Sequence, residues 1–174
     1  MSVSSSAIET PEAGIYQIDP EGSSIAVTTK HMFGMGTVTG KFALVSGQIV
    51  ITEPVSSSHV EAAASAHSFD TASPMRDGQV KSAKFLDAEA HPEIRFTSTE
   101  LVRDGDRWLL RGKITARGTA APVELTVVES SADATGLTLR ATGKVDRYAH
   151  GITKMKGMAG RYLTLEINAR AAAA

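Results

Sequence analysis

Apolar residues recur at every second position through most of this chain, and a period of two commits it to extended strands. Ile25, Val27 and Thr29 share one face of a first strand, and Val38, Gly40, Phe42 and Leu44 share one face of a second. Gly47 turns the chain before Ile49 and Ile51, and the loop Glu53-Pro54-Val55-Ser56-Ser57-Ser58 precedes Val60, Ala62 and Ala64. Asp104-Gly105 stands between Leu101-Val102 and Trp108-Leu109-Leu110, a hairpin signal. Ile114 leads to a bend at Arg117-Gly118, beyond which Val123, Leu125 and Val127 face one way. A turn at Ala134-Thr135-Gly136 opens the run Leu137, Leu139, Ala141 and Val145, and Leu163, Leu165, Ile167 and Ala169 form the last strand.

About eight strands in hairpin order predict an all-β, antiparallel sheet closed into a barrel. A β-sandwich satisfies the same alternation. One segment departs from it: Arg76 to Lys84 has room for about two helical turns, with Pro74 near the start, Asp87 near the end and Val80 inward. The chain returns to a strand through His91-Pro92, with Ile94, Phe96 and Ser98 alternating against Arg95 and Thr97. Residues 1–14 read as a disordered tail, 15–170 as one domain and 171–174 as a second tail.

Composition removes several classes of function. A formal net charge of −1 offers no field for nucleic acid, so none is expected as a partner. The absence of cysteine removes disulfides, thiolate metal sites and a cysteine nucleophile. The segment Met1 to Gly14 lacks the basic start and apolar run of a secretory signal, and no stretch nears the roughly 18 apolar residues of a membrane span. These features predict a soluble, cytoplasmic protein.

Catalytic constellations are not visible either. His31, His59, His67, His91 and His150 show no close ligand spacing, and His59 and His67 on one strand would stand about 26 Å apart. No serine sits in a nucleophile elbow, and Gly34-Met35-Gly36 lacks the strand-helix setting of a dinucleotide site. The acidic residues are scattered. The reading is therefore of no enzyme, no metal and no cofactor.

The ordered motifs resemble the YceI-like family. Tyr16-x-Ile18-Asp19-Pro20, Ser24-Ile25-x-Val27, His31 and Val38-x-Gly40-x-Phe42 resemble its opening. Arg76-Asp77, Ser82, Phe85-Leu86-Asp87, His91-Pro92-x-Ile94-x-Phe96, Gly112-x-Ile114-Thr115-x-x-Gly118, Pro122-Val123 and Asp146-Arg147 before Gly151 follow in order. The resemblance implies a lipocalin-like barrel whose apolar cavity holds the isoprenoid tail of a quinone or another polyprenyl lipid. It also implies storage or transport rather than chemistry, and pairing into a homodimer. Transient contact with a membrane is expected instead from the apolar and basic loops around Met32–Met35 and Lys154–Met158. Departures are Val27 where an aromatic is common, a Met/Gly-rich loop from His31 to Gly36, and Tyr148-Ala149-His150-Gly151 in place of a compact aromatic-Gly pair.

An isoprenoid chain makes no hydrogen bonds, so its site must be apolar, each buried methylene contributing about 0.8 kcal/mol. Candidate wall residues are Val27, Phe42, Phe69, Val80, Phe85, Ile94, Phe96, Ile114, Leu125, Leu139 and Leu165. Alternation alone is met equally by a packed core, which leaves a filled-barrel interaction protein, or an enzyme for a small apolar substrate, as other readings. Candidate rim residues are Met32, Phe33 and Met35, adaptable side chains flanked by glycine, with Arg76, Asp77, Lys81 and Arg147 for the polar end of the ligand. In a structural role, Arg76 and Asp77 would instead pin the helix through a salt bridge. Lys154-Met155-Lys156-Gly157-Met158 combines apolar and basic residues that suit anionic lipid head groups, or an ordinary solvated loop.

Overall fold

A computed structural model describes residues 8–31, 36–156 and 158–174. Among them are strands β1 (Gly14–Ile18), β2 (Ser24–His31), β3 (Gly36–Phe42), β4 (Leu44–Ile51) and β5 (His59–Ser65). After helix α1 (Pro74–Lys81) come β6 (Glu93–Asp104), β7 (Arg107–Ala116), β8 (Thr119–Asp133), β9 (Gly136–Asp146) and β10 (Tyr162–Ala173). β4 through β10 pair antiparallel with their neighbours, and β1 pairs with both β4 and β10. That double pairing closes an eight-stranded barrel and excludes the sandwich. β2 continues along β10, with Ser24 opposite Asn168 and Thr28 opposite Thr164, and β3 lies against β2. The β2–β3 hairpin thereby lengthens the wall on one side.

The turns follow local chemistry. Arg117 and Gly118 both have positive φ, 52° and 73°, the conformation of a tight two-residue hairpin between β7 and β8. Asp133 Oδ1 accepts from the Thr135 amide at 2.7 Å and its hydroxyl at 2.6 Å, fixing the β8–β9 turn. Register shifts at Ser98/Glu100 and Val127/Glu129 change which alternate residues face inward. At the first, the Val60 amide donates to Ser98 Oγ at 2.9 Å, so a side chain replaces a ladder partner.

The helix begins at Pro74, two residues before the predicted Arg76, with the Ser73 side chain accepting from the Arg76 amide and Pro74 in the first turn. It ends at Lys81 rather than Lys84, because Ser82 is extended and both its amide and hydroxyl donate to Gln79 O. Both predicted tails shrink. The Glu9 amide donates to Ser130 O at 2.8 Å and the Ser130 hydroxyl donates to Glu9 O at 2.7 Å, which lays residues 8–12 across one barrel end. At the other terminus Ala171 and Ala173 pair with Ile18 and Tyr16, giving the predicted tail residues the place of closing strand.

Candidate functional site

The barrel interior holds a cavity of about 290 Å³, partly open to solvent, whose wall is almost wholly apolar. Every strand of the ring contributes to it. β7 and β9 show why: Trp108, Leu110 and Ile114 on one, and Leu137, Leu139 and Ala141 on the other, each share one face of their strand. Beyond the register shifts, Leu101 on β6 and Ser130 on β8 turn inward. Glycine makes room where a wall residue is large. A Cβ at Gly112 would lie 2.8 Å from the Phe96 ring, so that ring occupies space only glycine leaves open.

Of the wall residues predicted from sequence, Val27, Phe42, Ile94, Phe96, Ile114, Leu125, Leu139 and Leu165 border this cavity. Phe69, Val80 and Phe85 do not. Phe69 packs on Phe42 with ring centroids 5.1 Å apart and covers Gly40, where a Cβ would lie 2.6 Å from it. Val80 packs behind the wall from the helix. Phe85 is buried with the Arg147 guanidinium 5.9 Å from its ring centroid, and its neighbour Leu86 takes the place at the cavity. The Leu86 amide reaches back to Val80 O at 2.8 Å, a reversal that follows from the early end of α1. Arg117 holds this capping segment, donating to Phe85 O at 2.9 Å and also to Ala83 O.

The helix residues assigned to a polar rim have another task. Arg76, Asp77 and Lys81 are absent from the cavity wall. Asp77, 8% exposed, accepts from the Thr71 hydroxyl at 2.7 Å and from the Thr71 amide at 3.0 and 3.1 Å. Arg76 donates to Thr71 Oγ1 at 3.0 Å, so Thr71 stands between the two residues expected to form a salt bridge. The Thr71 hydrogen bonds hold the Asp77 carboxyl below the ordinary carboxylate range against the opposing effect of burial. These contacts tie α1 to the loop that precedes it. Met32, Phe33 and Met35 lie outside the described residues.

Arg147 does border the cavity, at 5% exposure. It opens the short 3₁₀ turn Arg147–His150, started by the Asp146 side chain accepting from the Tyr148 amide. Its Nε donates to Gly160 O at 2.8 Å, Nη1 to Ile152 O at 2.9 Å and Nη2 to Ala159 O at 3.1 Å. Burial pushes this guanidinium below its ordinary value, Tyr148 and Asp146 opposing the shift. Asp146 is engaged by Arg161 at 2.9 Å through both oxygens. Arg147 therefore brings positive charge to an apolar wall while knitting Ile152, Ala159 and Gly160 to it.

His150 also borders the cavity and is missing from the sequence-derived site. No sequence signal marks it, because a single 3₁₀ turn is too short to show a period. His91 packs against the β7–β8 turn, where a Cβ at Gly118 would meet its ring. No three His, Asp or Glu side chains gather into a metal-sized group among the described residues. No helix among them is long and apolar enough to cross a membrane.

A family model described as a YceI-like domain matches residues 16–171. The UPF0312 protein of Pectobacterium atrosepticum is 34% identical over 116 residues, covering 65% of this chain and 60% of that protein. Protein YceI of Salmonella arizonae is 31% identical over 115 residues with the same coverage. The chain thus spans about 60% of the length of the curated relatives it matches. Among solved structures, BcnA of Burkholderia cenocepacia superimposes with a TM-score of 0.77 at 19% identity, over 87% of this chain and 98% of that one. A polyisoprenoid-binding domain from Saccharophagus degradans, implicated in plant cell wall breakdown, gives 0.68 at 12% identity, over 94% and 100%. At these identities the structural likeness is one of fold.

Proposed function

This chain belongs to the YceI-like family, and from that premise we propose that its barrel binds an isoprenoid lipid, storing or carrying it without chemical change. The observation that supports this most is the apolar cavity of about 290 Å³ inside the barrel. Its volume stands at the low end of the range of about 300–1,000 Å³ for small-molecule sites. On β10 the wall runs from Leu163 to Ala169, about 20 Å along the strand and about 15 Å along a barrel axis tilted from it by roughly 40°. Such a space suits an extended, branched hydrocarbon chain that asks for no hydrogen bonds. The polyisoprenoid-binding domain of Saccharophagus degradans shares this fold, which favours the same ligand class here.

Function then reduces to partition. The tail leaves water for the cavity, gaining about 0.8 kcal/mol per buried methylene. The head group is an isoprenoid quinone or related polar end, oriented by the positive charge of Arg147. Exposed Met155 and Met158, with Lys154 and Lys156 beside them, form the surface we assign to contact with anionic membranes. Gln79 Nε2 contacts Met155 Sδ at 3.3 Å, which joins that surface to α1. The stoichiometry is one lipid per barrel, so a homodimer would carry two.

Titration with a fluorescent geranylgeranyl probe tests this reading. Saturable binding, competed by an unlabelled isoprenoid quinone that is recovered chemically unchanged, is the expected result. Absence of saturable binding, or recovery of a converted lipid, would reject it.

A further inference from the structure

We propose that His150 is the head-group acceptor of the cavity, and that the ligand it selects ends in a hydroxyl, on an isoprenoid alcohol or the hydroquinone form of a quinone. This rests on the reading that a lipid occupies the barrel. His150 is 4% exposed and borders the cavity. Its Nδ1 lies 2.8 Å from Thr119 O, and because a carbonyl only accepts, Nδ1 carries the proton. With Nδ1 carrying the proton, the neutral form of the ring presents Nε2 as an acceptor. None of the described residues donates to Nε2, yet none of their buried side-chain nitrogens or oxygens is both sealed and unpartnered. Among the described residues Nε2 thus has no protein partner, and the cavity that His150 borders is where a ligand would meet it.

The other buried polar side chains on this wall are already committed. Ser58 Oγ accepts from the Thr52 amide at 2.9 Å, the Ser130 hydroxyl donates to Glu9 O, and Arg147 serves three carbonyls. His150 stands one 3₁₀ turn after Arg147, and in that helix residues three apart project on the same side. A ligand donor that meets Nε2 replaces the water a polar atom in such a wall would otherwise hold. A ligand without a donor leaves that nitrogen unpaired, and sites built around a hydrogen bond discriminate against such analogues.

The test compares geranylgeraniol with its methyl ether by displacement of the fluorescent probe. Wild type should bind the alcohol roughly five- to tenfold more tightly, the worth of one hydrogen bond. His150→Phe should lose that preference while still binding the ether. A reduced and oxidised quinone pair of equal tail length, run in parallel, distinguishes a phenolic from an alcoholic head group. In ¹⁵N-histidine-labelled wild type, the His150 Nε2 resonance should move with alcohol and stay with ether, a readout that needs no variant to fold. Equal affinities in wild type, or a preference that survives His150→Phe, overturns the role of His150 and leaves the cavity reading intact, because ether binding reports the cavity alone. Failure of both probes to bind overturns both.

Discussion

Replacing Ala141 by leucine separates an occupied-by-ligand barrel from a packed one, because the two predict opposite changes in stability. Ala141 is 3% exposed, lies opposite Val127 and Ile167 in the sheet and borders the cavity. Leucine adds about three methylenes' worth of apolar volume, and burying them contributes roughly 2 kcal/mol at about 0.8 kcal/mol each. In the empty barrel that gain raises Tm by about 4–8 °C, at about 2–4 °C per kcal/mol for a chain of this size. The same carbons exclude an equal length of lipid tail, so affinity for the geranylgeranyl probe falls by about 30-fold. Scanning calorimetry of lipid-free protein and probe titration read the two effects independently. A packed interior would be overfilled and lose about 1–3 kcal/mol instead. A lowered Tm with unchanged probe affinity would refute the cavity argument.

Phe96→Asp, which places a carboxylate on the wall opposite Ile114, should abolish probe uptake; unchanged uptake in a folded variant would remove Phe96 from the site. Gly136→Ala should cost about 2 kcal/mol, seen as a Tm lower by about 4–8 °C, because φ is +149° and the new Cβ meets the Ala171 carbonyl. The lowered Asp77 pKa stabilises the fold above the ordinary value of 3.8, and this is lost as pH falls through the depressed folded value. The Tm difference between wild type and Asp77→Asn should accordingly persist at neutral pH and shrink only below 3.8. Lys154→Glu combined with Lys156→Glu should weaken sedimentation with anionic vesicles and leave neutral vesicles and probe affinity unaffected.

The strands were legible because a half-buried strand writes its period into the chain, as Leu137, Leu139 and Ala141 do. Their closure was open to a sandwich because it depends on β1 meeting both β4 and β10, pairings between residues far apart in sequence. Register shifts hid other wall residues: the irregularity at Ser98/Glu100 brings Leu101 inward out of phase with Ile94 and Phe96. In the capping segment the helix ends three residues early, and this gives Leu86 rather than Phe85 the cavity. Asp77 reads from sequence as a charged rim residue, but its partner is the neutral Thr71, whose approach depends on how the loop before α1 folds. His150 carries no periodic signal at all, since a single 3₁₀ turn is too short to write one.

Native mass spectrometry of the purified protein, with organic extraction of whatever accompanies it, bears most directly on the lipid-binding role. The expected result is a stoichiometric isoprenoid lipid, one per barrel, released unchanged into the organic phase. Empty protein that also refuses the fluorescent geranylgeranyl probe would contradict it.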